Sequence, residues 1–455
     1  EADLEWLTPA VELEFQDRLA DRVFWYFNLF DAGGEHLNGV AAGRRNMDFT
    51  KRVNLVEKFQ PGILRNKSLQ ALASTILRNQ TKPDWNGQTH THLGNPLLNG
   101  GLFSYEPPPY TSISFPYNHI SIMRSGWDAQ KDQAGIFLHS SGRGLDGGLF
   151  LRAKNCNSLT LSAFNQTLLV NGIEYAYNYV RSPIQVDNQD QFARAGLTGH
   201  ARKGEHQPGL VTISPWRNHH SPFFDVAEGR YDGIYSDSPD HEPMLYHYNT
   251  NLKVLNNALE GIPSHHRIVY FVKEFGLWFI LDIMEADRAH SYRQQWWMSK
   301  LTDKNPEGYK EDWVSSDAER KMIYSHAENK PNLSMYHVGP VLLEKNEKQH
   351  LRYDSIKTYV KQKEWFKGYR ADRREGVKFL HLTTQWQSQR GKSQLITVLY
   401  PRQVGRAENV LQVERAKNGK EVSVTMPNGS SVHFVAEGLE SVLTVSEKDQ
   451  DLKRG

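Results

Sequence analysis

The chain has 455 residues, enough for two or three domains with sizeable cores. Its balance of 23% charged and 38% hydrophobic residues excludes a disordered chain, and no apolar run approaches the ~18 residues of a membrane-spanning helix. A net charge of +2 gives no ground for nucleic-acid binding, and the lone Cys156 excludes an intrachain disulfide or a cysteine-rich zinc site.

The sequence starts at Glu1 with no charged n-region or apolar h-region, as expected of a mature or trimmed chain. From Pro9 to Phe30 apolar residues recur at Val11, Phe15, Leu19 and Val23, a spacing of four that predicts an amphipathic helix. Gly33-Gly34 ends it, and similar spacing predicts a further helical stretch between Asn54 and Asn79. The connector between them reads Gly39-Val40-Ala41-Ala42-Gly43-Arg44-Arg45, then Lys51-Arg52. Arg44 and Arg45 in a Gly-flanked loop offer planar forks of donors suited to a carboxylate or sulfate, although a solvated basic loop accounts for them equally.

From Lys82 to Pro116 the chain is rich in Pro, Gly and Asn, a linker composition. His90 and His92 stand two apart there; on extended backbone both face one side and would suit a sugar carboxylate or a metal, while a plain polar loop is the other reading. Strand texture follows, over Asn118–Met123, Gly135–His139 and Ser158–Ala163. Lys273-Glu274-Phe275-Gly276 between two apolar runs predicts a hairpin with the Phe271 and Phe279 strands paired. Pro427-Asn428-Gly429 between alternating strands predicts a second, because Asn-Gly supplies the positive φ of a tight turn. The fold class is α+β, mostly β.

Two stretches resemble polysaccharide lyases. Trp25-Tyr26 on the first helix, leading to Gly43-Arg44-Arg45, is similar to the end of the helical toroid in chondroitin AC and hyaluronate lyases. Phe115-Pro116-Tyr117-Asn118-His119-Ile120-Ser121-Ile122-Met123-Arg124-Ser125-Gly126-Trp127 resembles the opening of the β-domain of heparinase II/III-like lyases. The runs His266–Val272 and Leu277–Asp282 resemble a later hairpin of that domain. The resemblance implies C-terminal helices of an α/α toroid over 1–95 and a linker over 96–116. It further implies a large antiparallel β-sandwich over 117–370 and a smaller C-terminal β-sheet region over 371–455.

The implied activity is β-elimination on a uronate-containing anionic polysaccharide such as a glycosaminoglycan, alginate or ulvan, by a secreted or periplasmic enzyme. Such chemistry needs a group that neutralises the uronate carboxylate, a Tyr or His that takes the C5 proton, and an acid for the leaving oxygen. The resemblance makes Arg44 the loop arginine that assists catalysis, with Arg45 as alternative or substrate contact. It places the base and neutraliser on toroid helices preceding Glu1. The family's Gly-His-rich motif falls on Ser140–Gly147, where the histidines are missing and Arg143 stands as a candidate anion contact. No motif supports a metal or other cofactor. Trp216, before Arg217 and His219-His220, is a candidate sugar platform, although a core role suits any single aromatic. Five Asn-x-Ser/Thr triplets start at Asn66, Asn79, Asn165, Asn332 and Asn428. Two competing functions stay open: a noncatalytic carbohydrate-binding or structural β-protein of this fold, and a glycoside hydrolase with a spaced carboxylate pair.

Overall fold

The computed structural model of the chain describes residues 107–115, 120–139, 156–170, 183–192, 217–231, 234–236, 264–299, 308–339, 341–345, 379–388, 390–407, 410–416, 418–437 and 440–446, with 71, 75 and 259. No helix among the described residues is long and apolar enough to cross a membrane. The helices expected over 1–95 lie outside the described residues, except that Ala71 and Thr75 are helical.

Twenty-three strands follow in chain order among the described residues. A five-stranded antiparallel sheet holds β1 (Ile113–Phe115), β2 (Ile120–Arg124), β3 (Gln133–Leu138), β4 (Leu159–Ala163) and β5 (Gln166–Leu169). Then come β6 (Ile184–Val186), β7 (Asp190–Phe192), β8 (Asn218–His220), β9 (Phe224–Tyr231), β10 (Ile234–Ser236), β11 (Ser264–Val272), β12 (Leu277–Ala286) and β13 (His290–Ser299). Next are β14 (Val314–Asp317), β15 (Met322–Ser325), β16 (Asn332–Val338), β17 (Leu342–Lys345), β18 (Phe379–Ser388) and β19 (Gly391–Arg402). The last four, β20 (Gln412–Arg415), β21 (Glu421–Thr425), β22 (Ser431–Val435) and β23 (Val442–Ser446), form a sheet of their own.

The centre is an eight-stranded sheet in the order β14-β15-β16-β19-β12-β11-β9-β8. One face, through Val269, Phe271, Trp278 and Ile280, packs on Met123, Phe137 and Leu161 of the five-stranded sheet. The same face packs on Trp296, Met298, Leu380 and Leu382 of a four-stranded sheet in the order β17-β18-β13-β6. These two sheets form the facing layer of the sandwich, joined where Val170 N–H donates to the Trp297 carbonyl at 2.9 Å. The other face of the central sheet, through Ile268, Tyr270, Phe279, Leu281 and Val398, packs on Val422, Val424, Val432 and Phe434 of the C-terminal sheet.

Burial on both faces explains the texture of β11 and β12. A strand covered on one face alternates; one covered on both runs apolar. Every residue from Leu277 to Met284 is buried. Each large apolar side chain so buried contributes about 1.5–3 kcal/mol. The β11–β12 hairpin has Phe271 opposite Trp278 and Tyr270 opposite Phe279, and the Phe271 and Trp278 rings stack at 3.8 Å. The second expected hairpin is β21–β22, with Val424 opposite Val432 and Gly429 at φ 88° in the turn.

Two strand placements differ from the sequence-based segments. β1 lies inside the stretch expected as linker, because Ile113, Ser114 and Phe115 find register partners in Ile122, Ser121 and Ile120. β18 and β19 lie beyond residue 370 yet belong to the sandwich: β19 sits between β16 and β12, and β18 pairs β13. The separate C-terminal sheet therefore starts at Gln412.

Candidate functional site

Alternation along β11 puts His265 and Arg267 on the face that carries Val269 and Phe271, toward the five- and four-stranded sheets. The register sets Arg267 directly opposite Asp282 of β12. All three polar side chains are fully buried. The pair is a two-bond fork, Arg267 Nε to Asp282 Oδ1 at 2.6 Å and a terminal guanidinium N–H to Oδ2 at 2.9 Å. His265 Nε2 donates to Oδ1 at 2.7 Å, and Gln294 Nε2 to Oδ2 at 2.7 Å. Four donors thus fill the carboxylate. Burial would raise this carboxyl, but the Arg267 charge and the His265 bond outweigh it and hold Asp282 well below the usual carboxylate range. Burial also pushes His265 down against the pull of Asp282, so its neutral ring donates through Nε2. Its Nδ1 then accepts from Gln191 at 3.2 Å and Asn157 at 3.3 Å.

A second polar cluster adjoins the first at Gly229. A Cβ there would strike the Asn157 side-chain oxygen and come within 2.7 Å of the His139 carbonyl, so only glycine lets the two layers approach this closely. Beyond it, the edge strands β1 and β8 bring Ser114 and His220 together. Ser114 Oγ lies 2.6 Å from His220 Nε2, and His220 Nδ1 lies 3.0 Å from Asp225 Oδ1. Asp225, fully buried, also takes Lys273 Nζ at 3.1 Å on Oδ1 and the Ser112 hydroxyl at 2.6 Å on Oδ2. Ser121 Oγ stands 2.6 Å from Ser114 Oγ, 2.6 Å from His139 Nε2 and 2.8 Å from Asn218 Oδ1.

The clusters differ in access. Asp282 and its partners have no exposure, whereas the His220 side chain is 21% exposed and Ser114 is half-buried. The turn after β8 exposes Phe223 (72%), and Phe224 lies 5.2 Å from the His219 ring. The open cluster is the candidate site. It holds a hydroxyl, an imidazole that can move a proton, and a carboxylate that orients the imidazole.

Arg44, Arg45, His90, His92, Arg143 and Trp216 all lie outside the described residues, as does Ser140–Gly147. Among the described residues no group of three or more His, Cys, Asp or Glu side chains could hold a metal ion. Of the glycosylation triplets, Asn332 is buried with its amide bonded to the Ala327 and Lys330 carbonyls. Asn428 caps its turn through the Ser430 N–H. Sequence reasoning missed Ser114, Asp225 and the Asp282 pair. One signal was present: Arg267 and Asp282 are charges within apolar runs, and a charge there needs a buried partner.

No protein-family model and no curated protein matches this sequence. Solved structures do match. A heparinase III, the BT4657 gene product, superposes with a TM-score of 0.54 at 12% identity over 95% of this chain and 53% of its own. The heparan sulfate lyase HepC from Pedobacter heparinus gives 0.51 at 10% identity, over 96% of this chain and 58% of its own. This chain has a polysaccharide-lyase fold. It spans a little over half the length of those lyases. Within the lyase fold the described sheets form the β part, and both polar clusters belong to it.

Proposed function

We propose that the chain serves a polysaccharide lyase that cleaves a uronate-containing anionic polysaccharide by β-elimination. The supporting observation is the superposition on a heparinase III and a heparan sulfate lyase over nearly the whole chain. In this reading the carboxylate next to C5 is neutralised, a base takes the C5 proton, and an acid protonates the departing glycosidic oxygen. Charge builds on the carboxylate as the proton leaves, so a preorganised cation there acts mostly on the transition state. Arg44 takes the catalytic-assist role, Arg45 and Arg143 contact the anionic chain, and Trp216, His90 and His92 contact sugars. The base and neutraliser sit on toroid helices outside this sequence, and the protein acts outside the cytoplasm.

The second reading, a noncatalytic carbohydrate-binding protein of the same fold, draws on the lack of histidine over 140–147. The test is incubation of a full-length parent containing this chain with heparan sulfate, chondroitin sulfate, alginate and ulvan. Unsaturated uronate products, seen as new absorbance near the ultraviolet edge, are expected. Arg44→Ala should lower their rate by roughly 10²-fold, the scale for one preorganised donor, with the melting temperature unchanged. Products with saturated ends would mean hydrolysis, and tight binding without cleavage would establish the noncatalytic reading.

A further inference from the structure

The Ser114–His220–Asp225 cluster has the connectivity of a nucleophilic triad, and nothing in β-elimination uses it. We propose that it is an acyl-transfer site that hydrolyses small O-acyl esters; the ester-cleaving chemistry stands apart from the lyase reading, and only the choice of a sugar as the alcohol part rests on it. His220 Nδ1 lies 3.0 Å from Asp225 Oδ1 and Nε2 lies 2.6 Å from Ser114 Oγ; in the tautomer with its proton on Nδ1, the ring donates to Asp225 and offers the Nε2 lone pair to Ser114. Triads are recognised by such geometry and not by residue order. Lys273 and Ser112 hold the Asp225 carboxylate on its other positions, so the imidazole has a fixed orienter. Ser121, fully buried, gives its own proton to Asn218 Oδ1 and so accepts from the Ser114 hydroxyl at 2.6 Å, a bond that Ser114 exchanges for His220 Nε2 as it reacts. The nucleophile lies on an edge strand and is half-buried. Three residues after His220, the exposed Phe223 offers an apolar face for a sugar ring.

The chemistry balances with water as the only co-reactant. Ser114 Oγ adds to the ester carbonyl carbon as its proton passes to His220 Nε2. The bond from that carbon to the sugar oxygen breaks, and the sugar hydroxyl leaves with the proton. Water, deprotonated by His220, then attacks the acyl-serine, releasing the carboxylic acid and returning the proton to Ser114.

The experiment treats the 455-residue chain with a fluorophosphonate and maps the adduct by mass spectrometry, beside hydrolysis of p-nitrophenyl acetate. One adduct on Ser114 is expected. Ser114→Ala should abolish it with an unchanged thermal melt, and His220→Gln should slow ester hydrolysis about 10²-fold or more. A Ser114→Cys variant guards against misfolding: its new thiol should react with iodoacetamide well before Cys156, which is fully buried. No adduct, an adduct elsewhere, or undiminished hydrolysis in Ser114→Ala would each overturn the proposal. So would a new thiol in Ser114→Cys that reacts no faster than Cys156. The unsaturated-product assay reads none of these groups, so failure of one idea is distinguishable from failure of the other.

Discussion

Asp282→Asn tests what the buried pair contributes. The substitution keeps shape and one carbonyl oxygen but removes the charge that Arg267 faces across two hydrogen bonds. It also turns an NH2 group toward donors, since Arg267, His265 and Gln294 all present N–H to this side chain. Breaking a buried ion pair by removing one partner costs about 3–5 kcal/mol, because the other charge stays buried and uncompensated. Against a typical net stability of about 5–15 kcal/mol, that is roughly a fifth or more of the whole. A urea titration followed by tryptophan fluorescence reads it directly, since Trp296 lies under the Arg267 guanidinium at 5.2 Å. The double variant Arg267→Met with Asp282→Leu removes the uncompensated charge but leaves the buried His265 and Gln294 donors without their acceptor, so it should recover only part of the loss. A single variant within about 1 kcal/mol of the parent would refute the reasoning. So would a double variant as unstable as the single one.

Two further outcomes follow from the same geometry. Burial and the Arg415 charge push His337 down to about 3, against about 6.5 in the unfolded chain. The unfolded state therefore binds the extra proton first, and stability is full above about pH 6.5 and falls toward pH 3. At pH 5 the loss from this group is about 2 kcal/mol, with His265 adding in the same direction. Urea midpoints at pH 7 and 5 should differ in the parent and differ less in His337→Gln; equal pH dependence in both would remove His337 from the acid response. Gly229→Ala forces the layers apart against Asn157 and the His139 carbonyl and should cost about 1–3 kcal/mol in a thermal melt. An unchanged melting temperature would show that the layers give way there freely.

The hairpins were legible because their information is local. Asn428-Gly429 dictates a turn whatever else folds, and the runs around Lys273–Gly276 are strand-like over their own lengths. What sequence did not convey is the company each strand keeps. β19 lies between β12 and β16, and β18 beside β13, through pairings far apart in the chain. Such pairing depends on matching buried faces, which no local signal encodes. The continuous apolar texture of β11 and β12 carried the fact of two-sided burial. It did not carry that the second cover is the C-terminal sheet.

The polar residues divide by how their bonding capacity is used. Asp282 commits four acceptor positions to four donors in a dry interior, and His265 engages both ring nitrogens. Nothing there is free to meet a reactant; the pair ties β11 to β12, and Gln294 of β13 ties both to the facing layer. In the Asp225 cluster the carboxylate is equally buried, but its histidine reaches an edge where solvent meets the ring. Only such a chain, fixed at one end and open at the other, can pass a proton between protein and substrate. Its members come from β1, β8 and β9, and Ser114 is one of the two serines in Ser112-Ile113-Ser114. That is why the sequence shows His219-His220 as a basic pair, while the fold shows one of them, His220, held by a carboxylate on one side and facing a hydroxyl on the other.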